Sequence, residues 1–248
     1  MDITKVTKPA RRLLKLKYCG AVIVAAGNAS RMAGIDKVMA PLGGEPMLLR
    51  TVRTFQNCDA IKEIVVVTRE DLLVQVMGLC KNFDKVTAVI AGGKDRPESV
   101  TSGLNALSNR VKLVAVHDGA RPLLSLSDWQ RLQEAAENAS AALLVRPMTD
   151  TVKQTEGGKV LSTIPRESLS AALTPQIFET KLLLEAYAAA REGGYSATDD
   201  AELVEKLGLQ PLAIPARDPN PKITFPPDLA MAEALLSARQ CRKESREK

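Results

Sequence analysis

The chain reads as an α/β fold, a doubly wound and mostly parallel sheet with a protruding β-hairpin arm. Three observations carry that reading. Apolar runs of strand length alternate with helix-length amphipathic stretches, those runs are continuous rather than alternating, and a glycine-centred pair of short strands breaks the rhythm after residue 144. The strand runs fall at 21–25, 64–67, 86–90 and 113–116, with helices predicted near 46–57, 70–80, 97–108 and 127–138. Continuous apolar strands suit a sheet covered on both faces, and crossovers of helix length make parallel pairing natural. Ligands bind such sheets beyond the carboxyl ends of the strands, where the loops at 25–37, 92–99 and 117–122 would converge.

Further along, residues 145–153 and 159–163 flank Glu156-Gly157-Gly158 and predict a hairpin arm over about 147–170. Helices are expected at 177–191 and 200–206, a strand at 211–214, and a last helix from about 227, opened by Pro226-Pro227-Asp228. A chain of 248 residues that is 45% hydrophobic can bury one continuous core. A single domain is therefore predicted over 18–238, between basic tails at 1–17 and 239–248.

The tails account for the formal charge of +5. Lys5, Lys8, Arg11, Arg12, Lys15 and Lys17 face only Asp2 at one end, and five cations face Glu244 and Glu247 at the other, so the body between them is net acidic. With 3% aromatic residues it also lacks stacking platforms, and no nucleic-acid partner is expected. Apolar runs long enough for a membrane span or a secretory signal are missing from the sequence, which predicts no membrane association and a cytoplasmic location. Cys19, Cys58, Cys80 and Cys241 form no Cys-x-x-Cys pair and the chain has one histidine, which argues for reduced thiols over a zinc site or a disulfide framework.

The most informative stretch is 21–37. A buried-strand pattern opens directly into Ala25-Ala26-Gly27-Asn28-Ala29-Ser30-Arg31-Met32, with Lys37 six residues after the arginine. Small residues after a strand let backbone N–H groups approach an anion, and Arg31 and Lys37 can set positive charge over a polyphosphate. A dinucleotide fingerprint begun at Gly27 would need glycine where Ala29 and Met32 stand, and no Gly-Lys-Ser/Thr follows the strand as in a Walker loop. What remains is a cationic phosphate loop of a nucleotide enzyme.

Beyond this loop, Gly92-Gly93-x-x-Arg96-x-x-Ser99-Val100, His117-Asp118-Gly119-Ala120-Arg121-Pro122, Asp150-Thr151-x-Lys153, Leu173-Thr174-Pro175-Gln176, Thr198-Asp199-Asp200 and Lys222-Ile223-Thr224 follow in order. Together with Ala25-Ala26-Gly27, Ser30-Arg31-Met32 and Asp36-Lys37, they resemble the 2-C-methyl-D-erythritol 4-phosphate cytidylyltransferases over roughly 18–236. The resemblance implies a Rossmann-like nucleotidyltransferase sheet and a CTP-dependent, Mg2+-assisted transfer to a polyol phosphate, with release of pyrophosphate. Ribitol 5-phosphate cytidylyltransferases share the chemistry and differ in the polyol. A catalytically silent nucleotide-binding module is the alternative of another class, and the joint presence of Arg31, Lys37, Arg166 and Lys222 speaks against it.

The resemblance also implies roles. Arg31 and Lys37 stabilise the transition state. Nucleotide contacts fall on Ala25, Ala26, Gly27, Gly93, Ser99, Asp118 and Gly119. Arg166 and Lys222 orient the sugar phosphate, with Thr151, Thr174 and Thr198 offering hydroxyls, although each threonine taken alone reads equally well as a turn or cap residue. Mg2+ would be held mainly by the CTP phosphates. Asp118 stays open between metal ligand, hydroxyl ligand, helix cap and partner of Arg121, and His117 reads as a hydrogen-bonded structural residue. The arm would reach across a two-fold axis, so that Thr151 and Arg166 serve the partner's site in a homodimer. Two positions depart from the family pattern: Lys94 follows the glycine pair where some relatives carry an acid, and Ala29 stands where many have glycine.

Overall fold

The computed structural model describes residues 18–27 and 36–244. In chain order these form β1 (Cys19–Ala25), β2 (Pro41–Leu42), β3 (Glu45–Pro46), α1 (Met47–Gln56), β4 (Ile61–Thr68), α2 (Leu73–Cys80), β5 (Val86–Ala91), α3 (Arg96–Ala106), β6 (Leu113–Asp118) and α4 (Leu126–Ala139). There follow β7 (Ala141–Pro147), β8 (Val152–Glu156), β9 (Lys159–Ile164), β10 (Ser170–Glu179), α5 (Thr180–Gly193), α6 (Asp200–Lys206), β11 (Leu212–Pro215) and α7 (Pro226–Glu244).

The main sheet has the order β11-β7-β10-β6-β1-β4-β5. Pairing is parallel except along β10, which runs antiparallel to both β6 and β7. Successive strand residues face opposite helix layers, as the two-residue period of a strand requires. Ala21, Ile23, Ile64, Val66, Leu113 and Ala115 pack with Leu48, Val52 and Phe55 of α1, Val76 of α2, and Trp129 and Leu132 of α4. Val22, Val65, Val67, Val114 and Val116 meet Val100 and Leu104 of α3, Leu183 and Ala186 of α5, and Val204 of α6 on the other face. Both faces are buried, and this explains why these strands read as unbroken apolar runs. Each fully buried valine, leucine or isoleucine contributes about 1.5–3 kcal/mol.

Beyond β1 the chain crosses to β4 and β5 on one side and then returns to β6 on the other. The strand order therefore reverses between β1 and β6, and the carboxyl ends of this pair mark the binding crevice.

The chain from 145 to 179 differs from expectation. Residues 145–147 finish β7 in the main sheet, and a turn separates them from β8, which pairs with β9 as an exposed hairpin. Residues 177–179, expected to open a helix, close β10, and α5 begins at Thr180. The strand is disguised because Pro175 lacks an N–H, so its pairing to β7 shifts register between Ala172 and Gln176, and because Ile177-Phe178 runs on into the apolar pattern of α5. At the C-terminus α7 extends to Glu244, so residues 239–244 continue a helix. Its Arg239 donates to the carbonyls of Leu123 and Pro219, both at 2.7 Å. The predicted tail at 1–17 lies outside the described residues.

Candidate active site

The crevice is built on a close approach of two strand ends. Val24 of β1 lies opposite Asp118 of β6, and the Gly119 N–H donates to the Val24 carbonyl at 2.8 Å. A Cβ on Gly119 would stand 3.0 Å from the Ala25 Cβ and 3.2 Å from the Val24 oxygen, so a glycine suits this junction. Above it opens a cavity of about 210 Å³ walled by Ala25, Ala26, Gly27, Gly93, Arg96, Ser99 and Asp118, with Lys37, Lys94 and Lys222 supplying cations. Gly119 itself is not in the wall; its neighbour Ala120 is.

Local sequence places each group. Asp36 opens the turn that carries Lys37: its Oδ1 accepts the Val38 N–H at 3.0 Å, and its Oδ2 lies 2.5 Å from Arg69 Nη1 at the end of β4. Asp95 caps α3 by accepting the Glu98 N–H at 2.9 Å. The Ser99 hydroxyl donates to the Asp95 carbonyl at 2.8 Å and accepts the Gly93 N–H at 3.2 Å, which ties the glycine loop to the first turn of α3. Gly92 fits because a Cβ there would lie 2.4 Å from the Ala26 Cβ. The unusual Lys94 turns to Glu98, with its Nζ 2.8 Å from Oε1 and its N–H donating to Oε2 at 3.0 Å.

Asp118 is the anionic centre. Its Oδ2 meets Lys222 Nζ at 3.0 Å and Arg121 Nε at 3.3 Å. Burial alone would raise the carboxyl, but Lys222, then Arg96 and Arg121, outweigh it and bring it down to about 2. Of the readings left open for Asp118, pairing with Arg121 is present here. Lys222 comes from a segment far along the chain that is fixed from three sides. Asp128 accepts the N–H groups of Arg217 and Asp218, Asn220 Oδ1 accepts the Leu123 N–H at 2.9 Å, and the Ile223 N–H donates to the Ala120 carbonyl at 2.9 Å.

His117 lies behind Asp118 and is fully buried. The Arg121 carbonyl can only accept, so His117 Nε2, 3.0 Å away, carries the proton. Nδ1 then accepts the Thr174 hydroxyl at 3.1 Å, while Thr174 Oγ1 accepts the Asp118 N–H at 3.1 Å. Burial pushes the imidazole down to about 4, so it is neutral at pH 7.

Of the other predicted site residues, Thr174 is buried one step behind the cavity, and Thr198 donates both its N–H and its hydroxyl to Glu202 Oε2, a helix-start arrangement, at the edge of a second cavity. Thr151 and Arg166 stand exposed at the arm and do not line the cavity of their own chain; Arg166 Nη1 donates to the Thr149 carbonyl. Arg31 and Ala29 lie outside the described residues. The positioning roles of Asp128 and Asn220 had no sequence signal, because their partners lie about 90 residues or more away. Among the described residues, three lysines stand with two carboxylates, Asp95 and Asp118, around a small cleft, and this arrangement can take a polyphosphate and steps that bring anions together.

Comparison with known proteins agrees with this geometry. A family model described as 2-C-methyl-D-erythritol 4-phosphate cytidylyltransferase matches residues 19–238. The enzyme of that name from Dehalococcoides mccartyi is 45% identical over 220 residues, covering 88% of this chain and 95% of the relative. The crystal structure of the Thermus thermophilus cytidylyltransferase superposes with a TM-score of 0.71 at 35% identity, covering 87% and 97% of the two chains. That of the 4-diphosphocytidyl-2C-methyl-D-erythritol synthase from Anaerococcus prevotii reaches 0.80 at 28% identity, covering 89% and 99%. The match runs over nearly all the described residues, and the chain belongs to the 2-C-methyl-D-erythritol 4-phosphate cytidylyltransferase family.

Proposed function

We propose that this chain transfers the cytidylyl group of CTP to 2-C-methyl-D-erythritol 4-phosphate, giving 4-diphosphocytidyl-2-C-methylerythritol and pyrophosphate. The observation that carries it is the convergence of Lys37 and Lys222 on one cavity around Asp118, at the strand ends where the family's nucleotide loops meet. An oxygen of the acceptor phosphate attacks the α-phosphorus, the bond from that phosphorus to the bridging oxygen breaks, and the electron pair leaves with pyrophosphate. The nucleophile belongs to the substrate, so the protein supplies position and charge rather than a base.

Ala25, Ala26, Gly27, Gly93, Ser99 and Asp118 form the nucleotide-binding surface, Gly119 seats the end of β6 against β1, and main-chain groups of the glycine loop read the base. Arg31 and Lys37 stabilise the charge that accumulates at the α-phosphate. Lys222 orients the acceptor phosphate, Thr198 would add a hydroxyl to it only by leaving Glu202, and Thr174 acts through the positions of His117 and Asp118. Among the described residues no cluster of three or more metal-ligating side chains stands together. One low-lying carboxylate in a cationic cleft fits a Mg2+ carried by substrate phosphates, with Asp118 as the residue that would hold it. When bound, Mg2+ neutralises phosphate charge and assists the leaving group. No described helix is long and apolar enough to cross a membrane, and a cytoplasmic location is part of the proposal.

We further propose a homodimer in which Thr151 and Arg166 complete the partner's site. The exposed hairpin, with Val160 61% and Leu161 55% accessible, supports this.

The test is Mg2+-dependent pyrophosphate release from CTP with methylerythritol 4-phosphate, ribitol 5-phosphate or no acceptor. Release with methylerythritol phosphate alone is expected, and preference for ribitol phosphate would overturn the acceptor assignment. Lys37→Ala should lower kcat by two to three decades, about 2.7–4 kcal/mol of barrier, with little change in CTP affinity. Equal losses in both would leave Lys37 as a ground-state binder only.

A further inference from the structure

Among the residues of the motif blocks to which the proposed transfer gives no role are Arg96, Gln176 and Asp200. They meet in one network behind the nucleotide cavity. Arg96, the first residue of α3, donates from Nη1 and Nη2 to the two carboxylate oxygens of Asp200 at 3.0 and 2.6 Å. Asp200, at the start of α6, is completely buried and also accepts the hydroxyl of Tyr187 from α5. Gln176 of β10 fixes the same helix start, its Nε2 donating to Asp199 Oδ2 at 2.7 Å and its Oε1 accepting the Ala201 N–H at 2.9 Å.

A buried carboxylate is costly unless its partners have good geometry, and the planar guanidinium fork is the group that can meet both oxygens at once. With both terminal nitrogens on Asp200, Arg96 has its hydrogen-bonding directed away from the cavity although it forms part of the wall. Its backbone does the remaining work. Asp95 and Arg96 begin the turn to which Ser99 ties Gly93, so the place of the glycine loop follows the place of this turn.

We propose that Arg96 is a positioning residue for base recognition. Its fork to Asp200 clamps the first turn of α3 against α5 and α6, and so holds the Gly92-Gly93 main chain in register with the edge of the base. This rests on the reading of the cavity as the CTP site. Cytosine and uracil exchange a donor for an acceptor at the pyrimidine edge, and discrimination between them needs main-chain groups fixed in place.

The experiment measures CTP and UTP binding by calorimetry, kcat with methylerythritol 4-phosphate, and thermal midpoint, for wild type, Arg96→Lys, Tyr187→Phe and Leu183→Ala. Leu183 is a buried residue of α5 outside the network and controls for lost stability. Arg96→Lys keeps the charge and loses the fork. It should weaken CTP binding and reduce the preference for CTP over UTP by roughly tenfold each, with kcat at saturating CTP within about twofold of wild type. Tyr187→Phe should move both in the same direction by about threefold, and carries the test should Arg96→Lys fail to fold. Unchanged affinity and preference in the folded variants would overturn the proposal, as would equal changes in Leu183→Ala at the same midpoint loss. A wild-type protein that binds no CTP would overturn the functional reading itself, an outcome distinct from either.

Discussion

At the scale of single residues, the site depends on charge states set by burial. His117 is completely buried between the tilted ring of Phe55, 5.0 Å away, and the Asp118–Arg121–Lys222 cluster. Burial is the largest influence on it and lowers its pKa to about 4. The Arg121 carbonyl and Asp118 favour the charged form, while the cations of Arg121 and Lys222 oppose it. An unfolded histidine titrates near 6.5, so between pH 6.5 and 4 the unfolded chain binds the extra proton and the folded chain does not. Stability from this group is complete above pH 6.5 and is lost as the pH falls toward 4, with about 2 kcal/mol of it going between pH 7 and 5. Urea unfolding of wild type and His117→Gln at those two pH values checks this. The wild-type loss should exceed that of the variant by about 2 kcal/mol, and parallel losses would exclude His117 as the titrating group. The sequence made this histidine legible as structural because it ends a buried strand, and Asp118 legible as a residue of the crevice because it ends the same strand. The clamp on Lys222 was not legible: Asp128 looks like an ordinary first-turn acid of a helix, and its value comes from Arg217 and Asp218, which only folding brings to it.

At the scale of elements, β1 and the glycine loop approach so closely that Gly27, in the cavity wall, and Gly92, behind it, carry different burdens. A Cβ on Gly92 would meet the Ala26 Cβ at 2.4 Å and the Ser99 Oγ at 2.8 Å, whereas a Cβ on Gly27 would meet none of the described residues within 4 Å. Gly92→Ala must therefore push the loop from the end of β1 and should cost about 1–3 kcal/mol of stability as well as nucleotide affinity. Gly27→Ala should leave the unliganded stability within about 0.5 kcal/mol and weaken CTP binding through the methyl alone. Thermal midpoints with and without CTP separate the two, and a Gly27→Ala protein with wild-type affinity would remove Gly27 from the binding surface. The strands behind these loops were legible for a plain reason: β1, β4 and β6 carry β-branched runs buried on both faces, and the edge strand β5 repeats the pattern half-buried. β10 was hidden, since Ser170-Ala171-Ala172 has little strand preference and Pro175 interrupts the ladder. The missed strand matters to the site, because it delivers Thr174 to His117 and Gln176 to α6.

At the scale of the whole molecule, the placement of the arm poses the question of where an active site is completed. The hairpin β8–β9 forms its own two-stranded sheet, and its Thr151 and Arg166 do not line the cavity that holds Lys37 and Lys222. A two-fold dimer would let each arm complete the other site, since in an isologous assembly whatever one protomer lends it also receives. Complementation distinguishes this from a site completed within one chain. In a heterodimer of Arg166→Ala and Lys37→Ala protomers, sharing in trans would put both defects in one site and neither in the other. After denaturation and random reassembly of equal amounts, half the dimers are mixed and half of their sites are intact, so about a quarter of wild-type pyrophosphate release should return although each variant alone is nearly inactive. Completion in cis predicts no recovery, because every site then keeps one defect. Native mass spectrometry of the reassembled sample shows whether mixed dimers have formed, and a mixed population without activity would exclude the shared site.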